Sequence, residues 1–410
     1  MSTAIADRDP DAAPTERDLT AARRAAVARA RELGPGLRAR AAAADTERRV
    51  PQQTIEELHD MGLFGILRPR ALGGQELGIA ALVEVTAELA AVCGSTGWVY
   101  GVLAGHGWLL NLFPIEAQQE VLDDPRALTG TVFRLNGGAS RVDGGYRLVE
   151  CAGRFCSGID HASWVIVGIA VTGEQGEPEP RFFVVPRKDI EVVDDWFSVG
   201  MRGTGSHSIR IADTFVPEHR SVTLEALAKG ASPGAAVHRA PLYRTPFHLV
   251  APFSIVGAPL GIARGAVDVY TQGLAPWLAG LTEIELAAKS ATFARVAQAA
   301  AEIDAACSLI VADATRIDAL TDPGALSPLD RARIPRDWAY AAQTARDAVA
   351  RLFAAAGGSA TYDESEMQRV WRDVNAAAQH YAFVWDNAMS DYGRVRLGLE
   401  PLNTIPGKRR

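Results

Sequence analysis

The stretch Arg154 to Gly168, RFCSGIDHASWVIVG, sets a small polar turn against a short apolar run. Trp164-Val165-Ile166-Val167 is brief and β-branched, which predicts a buried strand. Ahead of it Phe155 supplies an aromatic edge, Ser157 a hydroxyl, and Gly158 a backbone that another group can approach closely. That combination suits a planar ligand resting at a strand end. It also suits an ordinary loop entering a core strand, so its meaning rests on what the chain brings beside it.

Around this stretch a β texture extends over residues 127–226. Strands are expected at Thr129 to Leu135, Tyr146 to Glu150 after the Asp143-Gly144-Gly145 turn, Trp164 to Val171, Arg181 to Val185 and Ser206 to Ile211, as a small antiparallel sheet or barrel. Residues 19–126 read as helices, among them an almost wholly apolar one from Trp98 to Phe113 that contains His106. Residues 240–400 are helical again, with Ser290 to Ala314 and Trp338 to Ala356 long enough for a bundle. Residues 1–18 lack the apolar stretch of a signal peptide and read as a disordered lead-in. The order helical, β, helical defines an α+β chain.

Of the 410 residues 48% are hydrophobic and 22% charged, the balance of a globular protein. A formal net charge of −7 argues against a nucleic-acid partner. No apolar run is expected to be long enough for a membrane span. Cys93, Cys151, Cys156 and Cys307 are scattered without metal-ligand spacing, which predicts free thiols, no metal site and a reducing cytoplasm.

Gly200 to Ser206, GMRGTGS, is a glycine-rich loop ahead of a strand, so it is neither a P-loop nor a dinucleotide fingerprint, both of which open a helix. Gly357-Gly358 ends one helix. Beyond it Asp373, His380 and Asn387 are spaced by seven, which predicts one helical face with Ala376 and Ala377 between them. Small residues about a histidine leave room for a ligand. A histidine on an apolar helix, His106 or His380, is otherwise simply a packed core residue.

Five marks in order resemble the acyl-CoA dehydrogenase fold, over nearly the whole chain. They are Val50-Pro51 through Met61-Gly62-Leu63, Leu67-Arg68-Pro69 with Gly73-Gly74, the Ser157-Gly158 turn, Gly200 to Ser206 leading to Phe215-Val216-Pro217, and FAAAGGSATYDESEMQRVWRD from Phe353 to Asp373. The resemblance implies an N-terminal helical domain, a central antiparallel β domain and a C-terminal four-helix bundle. It also implies flavin between the β domain and the bundle, and a homotetramer. Many dehydrogenases of this fold carry a catalytic glutamate shortly after the equivalent of Arg372-Asp373. Here that neighbourhood reads Ala378-Gln379-His380-Tyr381, and a tyrosine at neutral pH does not remove the α-proton of a thioester. A thioester-oxidising dehydrogenase is the alternative. The nearer resemblance is to the two-component flavin monooxygenases, which hydroxylate phenols and related rings.

In that branch the resemblance gives catalytic places to His106, Ser157 and His380. Reduced FMN or FAD with O2 would form a C4a-hydroperoxide. Ser157 would hydrogen-bond near flavin N5, His380 would assist peroxide formation, and His106 would orient or deprotonate a phenolic hydroxyl. Phe155 and Trp164 would wall the flavin, with Thr131, Val132, Arg202, Gly203, Thr204, Gly357 and Gly358 also binding it. A polar contact of some relatives falls near Val132, which has no hydroxyl, and Thr131 is expected to point the other way on its strand. Without a nicotinamide fingerprint the implied partners are a separate NAD(P)H:flavin reductase and an aromatic small molecule, with no membrane.

Overall fold

Helices come first, beginning slightly earlier than the periodicity suggests. The computed structural model describes residues 16–172, 177–322 and 326–402. The expected lead-in over 1–18 therefore lies outside the described residues, except for its last three, which open helix α1 (Glu16–Glu32). There follow α2 (Gly34–Glu47), α3 (Gln52–Asp60), α4 (Ile79–Ala90), α5 (Gly94–Leu110) and α6 (Ile115–Leu122).

The β domain contains β1 (Thr129–Val132), β2 (Asn136–Val142), β3 (Gly145–Cys156), β4 (Trp164–Thr172), β5 (Pro178–Pro186), β6 (Glu191–Val193), β7 (His207–Pro217) and β8 (Ser221–Thr223). They form one sheet in the order β6-β7-β3-β2-β4-β5-β8, with β1 added beside β4. Most pairings are antiparallel, but β1 runs parallel to β4, with Thr131 opposite Ile166 and Val132 opposite Val167. The glycine-rich β2 was not expected. It has little apolar pattern of its own and forms because β3 offers it a ladder. Alternation along β4 separates two cores: Val165 and Val167 pack inside the β domain, while Ile166 faces the helical core.

The chain then continues through α7 (Leu224–Lys229), α8 (Pro233–Val237), α9 (Phe247–Val250), α10 (Phe253–Leu278), α11 (Glu283–Ala287), α12 (Ser290–Asp318), α13 (Pro328–Ala356), α14 (Glu366–Ala377) and α15 (Trp385–Arg396). Helices α10, α12 and α13 make three positions of the bundle, and α14 with α15 the fourth. That fourth position is broken. His380 lies between its two helices, at the start of a 3-10 turn over Tyr381–Phe383, so it does not share a helical face with Asp373 and Asn387 as their spacing suggests. The segment Phe247–Leu278 is also long and apolar enough to cross a membrane by length and composition, contrary to expectation, but it is mostly buried inside the protein.

Helix α10 ties the two helical parts together through glycines. A Cβ on Gly257, Gly261 or Gly265 would lie 2.6, 2.2 or 2.0 Å from the carbonyl oxygens of Val83, Ala87 and Ala91. Each step of four residues on α10 meets a step of four along α4, so the helices run side by side with backbones in contact. Asp318, at the end of α12, accepts from the N–H groups of Ile79 (2.6 Å) and Ala80 (2.9 Å), capping the start of α4. Gly261→Ala should therefore destabilise the protein by about 1–3 kcal/mol through overpacking. Gly273→Ala, on the same helix with open space around it, should stabilise it by up to about 1 kcal/mol through helix propensity. Chemical denaturation of the two variants checks the contrast.

Candidate active site

Where α5, the β domain and the break after α14 meet, the chain encloses a cavity of about 920 Å³, at the upper end of ligand sites, which span roughly 300–1,000 Å³. Helix α5 contributes Trp98, Val102 and His106, spaced by four and therefore on one face. The β domain contributes Thr131, Phe133, Phe155 and Ser157, and the bundle Ile255, Ala376, Ala377 and His380.

The two histidines are held in opposite tautomers. Nδ1 of His106 lies 3.2 Å from the carbonyl oxygen of Thr129. A carbonyl only accepts, so Nδ1 carries the proton and Nε2 keeps a lone pair. In His380, Nδ1 accepts the Ala382 N–H at 3.2 Å, so the proton of the neutral ring sits on Nε2. His106 is buried, and His380 is packed among Trp98, Tyr381 and Phe383. Burial pushes both imidazoles down from the usual 6.5 to about 4. At neutral pH the cavity thus meets one uncharged acceptor and one uncharged donor.

The Ser157 turn is held in a strained backbone. Phe155 has φ +69° and Met201, on the facing glycine-rich loop, φ +54°, both in the left-handed region that favours glycine. The loop is fixed to α14: Asp373 Oδ1 accepts the Met201 N–H at 2.6 Å, and a Cβ on Gly200 would lie 2.2 Å from the Arg372 carbonyl oxygen. Burial raises the Asp373 carboxyl to about 6, against the hydrogen bond from Met201. Across the turn, Trp98 Nε1 donates to Ser157 Oγ at 3.2 Å, and Ser157 and Ser206 Oγ are 2.7 Å apart.

His106, Ser157 and His380 are thus brought to one cavity, with Thr131, Val132, Phe155 and Thr204 in its wall. The strand register reverses the expectation for Thr131. Its partner Ile166 faces the helical core, so Thr131 points toward α5, whereas Val132 packs into the β core. Thr131 Oγ1 is buried and makes no hydrogen bond within the protein.

The remaining expected cofactor contacts lie outside the cavity wall. Trp164 packs under Arg220, the Arg202 side chain bonds the backbone oxygens of Asp45 and Ser198, and Gly203 is wedged against Ala44 and Ser95. Gly357 and Gly358 are exposed with open space beside them. Reading the sequence missed Trp98 and Ser206 as site residues. The four-residue spacing from Trp98 to His106 was the available signal for the first. Among the described residues lining the cavity the one carboxylate is Asp195, and it is engaged by the N–H and hydroxyl of Ser208 at 2.9 and 2.6 Å. Among the described residues no unengaged carboxylate lines the cavity.

This fold and this histidine-flanked cavity, whose one lining carboxylate is engaged by Ser208, define a class: the chain belongs to the flavin-dependent monooxygenases of the acyl-CoA dehydrogenase fold, oxygenase components of two-component aromatic hydroxylases. Residues 20–123 match the acyl-CoA dehydrogenase N-terminal domain and residues 253–385 its C-terminal domain. The chain is 36% identical over 377 residues to the flavin-dependent monooxygenase oxygenase subunit HsaA of Mycobacterium tuberculosis, covering 91% of this chain and 95% of the relative. It is 35% identical to the FADH(2)-dependent resorcinol hydroxylase oxygenase component of a Rhizobium species, over 88% of this chain and 92% of that protein. Among solved structures, HsaA from M. tuberculosis superposes with a TM-score of 0.86 at 34% identity, covering 93% of this chain and 99% of that one. XiaF from a Streptomyces species, solved with FADH2, gives 0.84 at 30% identity, over 94% and 98%.

The depressed imidazoles make a testable pH dependence. The unfolded chain binds these protons near pH 6.5 and the folded chain only near 4, so stability is fully present above 6.5 and declines as pH falls toward 4. His106 alone should account for a loss on the order of 3 kcal/mol by pH 4, and denaturation of His106→Phe should show a correspondingly flatter profile. Long-range proton–nitrogen NMR at pH 7 should find His106 protonated on Nδ1 and His380 on Nε2.

Proposed function

We propose that His106, Ser157 and His380 hydroxylate a phenolic or larger fused aromatic substrate in this cavity, with reduced FMN or FAD as cofactor. The observation that carries the reading is the pair of oppositely disposed imidazoles facing one cavity. The residues suit a flavin: the volume accommodates a tricyclic ring beside a substrate, Trp98, Phe155 and Tyr381 offer aromatic walls, and Ser157 offers a polar contact. Bound reduced flavin supplies the electrons that activate O2.

Each residue then has a defined task. His106 Nε2 accepts the phenolic proton, raising electron density on the ring, and its Nδ1–H to Thr129 fixes the imidazole for that exchange. The Thr131 hydroxyl, on the strand face turned to α5, donates to the same substrate oxygen. His380 Nε2–H would donate a hydrogen bond to a flavin or oxygen held in the cavity, and its neutrality avoids placing a full charge in a dry pocket. Ala376 and Ala377 leave the wall beside the substrate open. A separate NAD(P)H:flavin reductase delivers the cofactor, and the working form is a homotetramer in the cytoplasm. In that assembly the exposed Gly357-Gly358 pair meets a neighbouring copy.

Incubation with a flavin reductase, NADH, flavin and a panel of phenols should yield products heavier by one oxygen in mass spectrometry. Absence of oxygenated product across phenols and polycyclic phenols, with wild-type folding, would overturn the reading. His106→Ala should lower hydroxylation about a hundred-fold or more while oxygen consumption by the reduced cofactor continues. Ser157→Ala should shorten the lifetime of the oxygen-derived absorbance seen in stopped flow about five-fold, the loss of one neutral hydrogen bond of about 1 kcal/mol, with H2O2 released instead.

A further inference from the structure

The cavity wall contains a row of hydroxyls whose proton order is fixed from one end. Thr204 Oγ1 lies 2.8 Å from the carbonyl oxygen of Met201. Two oxygens at that distance need a proton between them, and the carbonyl has none, so Thr204 donates. Thr204 has no second proton, so across its 2.7 Å contact with Ser206 it accepts, and Ser206 donates. By the same count Ser206 accepts across its 2.7 Å contact with Ser157, and Ser157 donates. The Trp98 N–H donates to Ser157 Oγ from the other side. The order runs Trp98 to Ser157 to Ser206 to Thr204 to Met201, each hydroxyl proton committed to the next group in the row. All three hydroxyl residues are buried, which shields the row from exchange with bulk water.

Ser157 therefore has no proton left for a ligand. What remains to it is one lone pair, and Ser157 lines the cavity. Oxidised and reduced flavin differ at N5 in this respect: the oxidised ring has a bare acceptor nitrogen there, the reduced ring an N–H donor. We propose that Ser206 and Thr204 are positioning residues that make the protein select reduced over oxidised flavin, by holding Ser157 as an acceptor. The proposal rests on the Ser157–flavin contact proposed above. A two-component enzyme needs this selectivity, because spent flavin must leave and reduced flavin must be captured from solution. Reversing the row would set lone pair against lone pair between Thr204 and Met201, so the selection is anchored at a backbone carbonyl two hydroxyls away from Ser157.

The test is the ratio of dissociation constants for oxidised and reduced flavin, measured with the full chain, FMN and FAD, the reduced forms under anaerobic conditions. Wild-type protein should favour the reduced form. Ser206→Ala frees the Ser157 proton to turn toward the cavity and should lower the ratio about five-fold, the effect of one neutral hydrogen bond. Thr204→Val, which keeps the shape and removes the anchor, should lower it in the same direction, while Ser206→Thr should retain it. A general loosening of the loop would weaken both redox forms in parallel and leave the ratio unchanged, which overturns the proposal. Retention of the full ratio by both Ser206→Ala and Thr204→Val overturns it as well, leaving the flavin reading intact. Wild-type protein that binds neither form overturns both.

Discussion

Backbone contact between α10 and α4 is the constraint on which the rest of the molecule depends. Three glycines at intervals of four remove every side chain from that line, and carbonyl oxygens of α4 fill the space a methyl group would need. Helices that close cannot slide or rotate without collision, so the first helical part and the bundle behave as one body. The same device continues on α5, where a Cβ on Gly101 would lie 2.0 Å from the Ser254 carbonyl oxygen and one on Gly105 2.5 Å from the Ser254 Cβ. The face of α5 that bears Trp98 and His106 is thereby held at a fixed distance from the start of α10, and the cavity width follows from it.

The polar groups of the site are governed less by charge than by the direction of protons. Both imidazoles are neutral, the hydroxyl row is neutral, and the nearest buried carboxylate, Asp373, is turned to the Met201 N–H rather than to the cavity. In a dry pocket uncharged groups avoid the large desolvation penalty of ions, and their hydrogen bonds gain strength from the low dielectric. Backbone atoms decide each direction: the Thr129 carbonyl for His106, the Ala382 N–H for His380, the Met201 carbonyl for Thr204. Because backbone groups cannot be exchanged by substitution, the donor and acceptor pattern is built into the fold itself.

Much of this was legible in the sequence. The helical, β, helical order shows in periodicity, and His106, Ser157 and His380 were placed by resemblance to the same fold. What pattern reading missed has physical reasons. The β2 strand has no apolar alternation because its stability comes from its neighbour. The seam of Gly257, Gly261 and Gly265 lies inside an apolar helix, where small residues look like filler until the partner backbone is seen. Thr131 was turned the wrong way because alternation tells which residues share a face but not which face meets α5; that needs the parallel pairing with β4. His380 was put on a continuous helix because seven-residue spacing also survives across a break. Arg202 and Gly203 sit in a glycine-rich loop that does reach the site, but through Met201, Thr204 and Ser206.

The break between α14 and α15 separates two properties that are often entangled. Ala376 and Ala377, which line the wall, end one helix; His380, which lines the same cavity, belongs to the short turn that follows and is oriented by its own Ala382 N–H. Enlarging or reducing a wall residue need not move the histidine, since a turn lies between them. The outline of the cavity at this point can therefore change through a few small side chains at the end of one helix while the imidazole keeps the orientation that its own turn gives it.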